Sequence, residues 1–61
     1  MKVFNLVIMH NDLIFDVFSF KTMQDAIKGF ERETGFDYIE KDTNFHNSKY
    51  AESGIYESVI E

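Results

Sequence analysis

Residues Val3–Phe20 read VFNLVIMHNDLIFDVFSF, and the folding of this stretch decides the architecture. It is rich in β-branched and aromatic residues, which predicts two strands, Lys2–Met9 and Leu13–Phe20. Between them Asn11 and Asp12 tolerate positive φ and suit a two-residue hairpin turn. Such a turn sets His10 opposite Leu13, Ile8 opposite Phe15, Leu6 opposite Val17 and Phe4 opposite Ser19. Directly opposed residues share a face. One face is then Phe4, Leu6, Ile8, Leu13, Phe15 and Val17, with His10 and Ser19 at its ends. The other is Val3, Val7, Met9, Ile14, Phe18 and Phe20, interrupted by Asn5 and Asp16. The first is the expected core face. The second is too apolar to be left to water.

A helix follows, with clear punctuation. Thr22 fits the N-cap, and Asp25 three residues on stands in a capping-box-like position that also complements the helix dipole. Met23, Ala26, Ile27, Phe30 and Thr34 recur at helical spacing and form one apolar stripe. Gly35 is placed to end the helix, with Phe36 folding back on Phe30. Gln24, Asp25, Lys28, Glu31 and Arg32 occupy the other side. Gly29, inside the helix, costs about 1 kcal/mol relative to alanine and reads as an unoptimised surface position, with close approach of another backbone as the alternative.

Beyond the helix, FDYIEK (Phe36–Lys41) alternates and reads as a third strand, while DTNFHNSKYAESG is polar and turn-rich, anchored by Phe45 and Tyr50. IYESVIE (Ile55–Glu61) reads as a fourth strand, with a terminal helical turn as the alternative. The fold class expected is α+β: a small antiparallel sheet with one helix on one face, in the order ββαβ(β), as a single domain over residues 1–61.

Nothing in the remaining sequence is apolar enough to form a second layer over the second face. That face is therefore expected to self-associate through Val3, Asn5, Val7, Met9, Ile14, Asp16 and Phe18, most simply as a two-fold homodimer. A chain of 61 residues supports this. Domains of such size bury only about 60% of their unfolded surface. They commonly need a disulfide, a metal or a second copy. Cysteine is absent, so disulfides and thiolate metal sites are excluded.

The charge is uneven. Residues 1–30 hold three acids and three bases, whereas residues 31–61 hold eight acids and three bases, which carry the whole net charge of −5. An acidic half argues against direct contact with nucleic acid, because phosphates are met by Lys and Arg. It suits docking on a protein target with a basic surface, and Glu40, Asp42, Tyr50, Glu52, Tyr56 and Glu57 are the candidate contact residues. Sheet aromatics that stack RNA bases sit among basic residues, which these do not.

The apolar N-terminal run is broken by Asn5, His10 and Asp12, so it reads neither as a signal peptide nor as a membrane span. A cytoplasmic location is expected. No catalytic residue, metal ligand or cofactor is expected either. His10 and His46 have no local ligand spacing. Glu31 and Glu33, two apart on a helix, do not share a side. Ser19, Ser48, Ser53 and Ser58 lack a nucleophile-elbow context, and Gly29, Gly35 and Gly54 form no phosphate-cradling array.

A tiny acidic domain without cysteine or a site motif resembles, in general character, the accessory proteins that phages and mobile elements encode to block larger host proteins. The resemblance covers no motif. It implies a non-enzymatic, anti-defence type of inhibitor or modulator of a host protein, acting in the host cytoplasm. A structural or assembly subunit of a larger complex is the alternative.

Overall fold

The computed structural model describes residues 1–10 and 15–60. Three strands, β1 (Lys2–Met9), β2 (Phe15–Phe20) and β3 (Gly54–Val59), form one antiparallel sheet in the order β2-β1-β3. Helix α1 (Met23–Thr34) crosses one face, and a short helix, α2 (Thr43–His46), lies in the connection to β3. This is the expected α+β fold. Asn11–Ile14, including the expected turn and the first residues of the second strand, lie outside the described residues, as does Glu61.

The helix forms where its caps dictate. Thr22 Oγ1 accepts from the Asp25 N–H at 3.1 Å, satisfying one orphan donor of the first turn. At the other end Gly35 takes φ 76° and donates its N–H to the Glu31 carbonyl at 2.8 Å. Thr34, buried beside it, donates to the Phe30 carbonyl at 2.8 Å and accepts from the Phe36 N–H at 3.1 Å. That pair of bonds turns the chain back over the helix end.

The core lies between α1 and the sheet. Leu6, Ile8, Phe30 and Phe45 are buried, with Phe18, Phe20, Phe36, Tyr38, Tyr50 and Ile55 packed around them. Phe45 is the hub of the aromatic packing, its ring 5.5 Å from those of both Phe30 and Phe36. Phe36 thus folds back on Phe45 and Tyr50, while Tyr38 meets Phe30 edge-on at 5.0 Å. Phe45 and Tyr50 anchor the polar segment as expected.

Three expectations are corrected. The pairing of β1 with β2 is shifted by one residue: Phe18 lies opposite Leu6, Asp16 opposite Ile8 and Phe15 opposite Met9. A one-residue slip exchanges the faces of a strand. Phe18 and Phe20 therefore enter the core, whereas Phe15 and Val17 leave it. Second, Phe36–Lys41 forms no strand. The Asp37 carboxylate accepts from the Ile39 and Glu40 N–H groups at 2.9 and 3.2 Å, capturing donors that a ladder would need. The strand beside β1 is β3, built from the segment expected to be the fourth strand, with Ile55 opposite Leu6. Third, Gly29 is buried rather than superficial. A Cβ there would stand 2.8 Å from Phe20 Cζ and 3.2 Å from Leu6 Cδ2, so the helix–sheet approach itself requires glycine.

Candidate functional site

The helix covers only one side of the sheet. On the other side β1 presents Val3, Asn5, Val7 and Met9, β2 presents Phe15, Val17 and Ser19, and β3 presents Gly54, Tyr56 and Ser58. These residues stand in rungs across the strands. Met9 faces Phe15, Val7 sits between Val17 and Gly54, and Asn5 sits between Ser19 and Tyr56. A Cβ on Gly54 would lie 3.6 Å from the Tyr56 hydroxyl, so the Tyr56 side chain leans over the gap the glycine leaves beside Val7. One end of the open face is thus continuous and apolar. Phe15 is 56%, Val17 53% and Tyr56 58% exposed on this face.

Two properties distinguish this face. Among its described residues none is charged, although 28% of the chain is. Its central amide is also bonded within the chain through both its nitrogen and its oxygen. Asn5 Nδ2 donates to Ser58 Oγ at 2.9 Å, and Asn5 Oδ1 accepts from Ser19 Oγ at 2.9 Å. A polar group bonded within its own chain costs far less to remove from water than an unpaired one. The face is thus equipped to be buried.

Four of the residues expected to mediate self-association, Val3, Asn5, Val7 and Met9, lie on this open face. Ile14 is outside the described residues. Asp16 and Phe18 are not on it, because the shifted register places them on the helix side. Phe18 packs against the core. Asp16 sits at the margin, its Oδ2 2.7 Å from His10 Nε2, and the His10 ring meets Tyr50 edge-on. The residues that replace them on the open face are Phe15, Val17 and Tyr56. Both faces of the second strand alternate apolar residues, so periodicity alone does not choose between them.

The six residues expected to form one acidic contact surface are divided among several places. Tyr56 and Glu57 are consecutive in β3 and point to opposite sides of the sheet, where Glu57 Oε1 pairs with Lys2 Nζ at 3.3 Å. Tyr50 is half-buried against Phe36 and His10, with Lys49 Nζ 5.2 Å from its ring centroid. Asp42 caps α2, accepting from the Phe45 N–H at 3.0 Å. Glu40 and Asp42 flank Lys41, and Glu52 is exposed in the turn before β3. Ser53 behind it is buried and accepts from the Met9 N–H at 2.8 Å, tying that turn to the end of β1.

Among the described residues no three His, Asp or Glu side chains converge to hold a metal ion. No helix among them is long and apolar enough to cross a membrane. Comparison with protein-family models, curated proteins and solved structures gives no match.

Proposed function

We propose that this chain is a non-enzymatic protein-binding module that pairs with a second copy through its open sheet face and engages a larger protein with a basic surface, whose activity it blocks or modulates. The uncharged open face, with Phe15, Val17 and Tyr56 more than half exposed on a chain of net charge −5, carries this reading. Two acidic molecules repel each other wherever their charged surfaces meet. The open face lets two copies touch without bringing like charges together. A two-fold axis near Asn5 would superpose the apolar end of one copy on the polar strip of the other, or apolar on apolar, and both arrangements keep the Asn5 bonds within each chain.

Charge on that face is the test. Val17 is 53% exposed in the monomer, so Val17→Lys leaves the fold intact, with unchanged circular dichroism. Within a dimer it buries an unpaired ammonium against its own copy. The dimer dissociation constant should rise at least tenfold by sedimentation equilibrium. An unchanged constant, with the fold intact, refutes pairing through this face.

A further inference from the structure

We infer that the groove between α1 and the Asp37–Glu40 turn is a docking site for a segment of partner protein carrying an aliphatic side chain beside an arginine or lysine; this rests on the reading of the chain as a protein-binding module and names where the basic partner is met. The groove has a volume of about 510 Å³ and is open to solvent. Ile27 on the helix and Ile39 on the turn supply its apolar lining, and Ile39 is 78% exposed. Glu31, Asp37 and Glu40 line it against one cation, Lys28, leaving it two negative charges in excess.

The walls are held in advance. Glu31 Oε2 accepts from the Tyr38 N–H at 3.3 Å, and Asp37 Oδ1 holds the Ile39 and Glu40 N–H groups. Lys41, just beyond, lays its ammonium 4.5 Å from the Tyr38 centroid and 5.3 and 5.5 Å from those of Phe45 and Phe30. That peg fastens the turn to the core, so little ordering entropy remains to be lost on binding. Glu31 and Asp37 line the groove while also bonding the backbone. The Glu40 carboxylate makes no hydrogen bond or ion pair with another described residue and stands ready to meet a cation. An aliphatic side chain set between Ile27 and Ile39 buries apolar surface on both sides. A guanidinium beside it reaches Glu40 and Asp37, and its planar fork suits a carboxylate better than a point charge does.

Three capped hexapeptides serve as probes in an NMR titration of the isotope-labelled chain: one with a central Leu-Arg, one with Leu-Glu and one with Ser-Arg. The Leu-Arg peptide should shift the amides of Ile27, Lys28, Ile39 and Glu40, and bind at least tenfold more tightly than either of the others. Ile39→Ser and Glu40→Lys, both at exposed positions, should each weaken it at least tenfold, while Glu40→Gln weakens it less than Glu40→Lys. Equal binding of the three peptides, shifts confined to the open sheet face, or full affinity in both variants would overturn the proposal. Solution mass measured on the same samples separates this site from the pairing face. Groove variants leave the mass unchanged, and a failure of pairing leaves the peptide result standing.

Discussion

Gly29→Ala gives the most direct test of how the helix meets the sheet. In an exposed helix interior this substitution stabilises by about 1 kcal/mol, because alanine loses less backbone freedom on folding. Here the added methyl would stand 2.8 Å from Phe20 Cζ, 3.3 Å from Phe20 Cε2 and 3.2 Å from Leu6 Cδ2. Overpacking of that kind costs about 1–3 kcal/mol. Phe20 is only half-buried and can swing its ring outward, whereas Leu6 is fully buried and cannot move without disturbing the core. The cost should therefore fall near the middle of the range, about 2 kcal/mol. Set against the helix-propensity gain, the net loss is about 1 kcal/mol, or roughly 4–8 °C in Tm for a domain of this size. Thermal denaturation followed by circular dichroism reads this directly, at one fixed protein concentration because dimerisation would make Tm concentration-dependent. Repeating the substitution in a Phe20→Leu background removes the closest contact. Alanine should then recover part of its ordinary advantage, because the 3.2 Å approach to Leu6 Cδ2 remains, with a coupling of about 1 kcal/mol between the two sites. A rise in Tm on Gly29→Ala alone would refute the close approach, and additive effects in the double variant would refute the part assigned to Phe20.

Two further perturbations probe other parts of the fold. Thr22→Ala removes the acceptor for the Asp25 N–H and should destabilise by about 1 kcal/mol, with Thr22→Ser nearly neutral; equal losses in urea denaturation would show that the cap contributes nothing. Phe45→Ala should cost about 3–5 kcal/mol, a large share of the total stability of roughly 3–9 kcal/mol expected at this length, read as a fall in the urea midpoint. A loss below about 1 kcal/mol would mean that α2 is not anchored in the core.

Much of this architecture is legible in the sequence where several signals agree. β1 has the expected bounds, and α1 starts at Thr22 and stops at Gly35 because cap chemistry and apolar periodicity name the same residues. Legibility fails where a pattern is degenerate. In β2 the odd residues Phe15 and Val17 and the even residues Phe18 and Phe20 offer apolar faces of similar quality, so the register depends on the turn rather than on the strand. Asp16 looks like an interruption of a buried face. It sits instead at the margin of the helix side, where His10 meets it. The alternation in Phe36–Lys41 is real, since Phe36 and Tyr38 both reach the core, but the Asp37 side chain spends the intervening backbone donors on a turn.

The candidate surfaces divide in the same way. Val3, Asn5, Val7 and Met9 share a side because β1 alone fixes their parity, whereas Tyr56 joins them only through the pairing of β3 with β1. The acidic residues form no single patch, because neighbours along a strand point to opposite sides. The groove needed Ile27 and Ile39 to be brought together across a turn that reads as a strand. No local pattern announces it.

Pairing of two copies through the uncharged open face has a direct consequence for the mass in solution. Static light scattering across a wide concentration range tests it most directly. A dimer paired through this face gives a mass near twice the chain's 7.2 kDa that falls towards the monomer value on dilution and resists salt, since the contact is apolar. A mass of one chain at every concentration, from a protein that melts cooperatively, would contradict it.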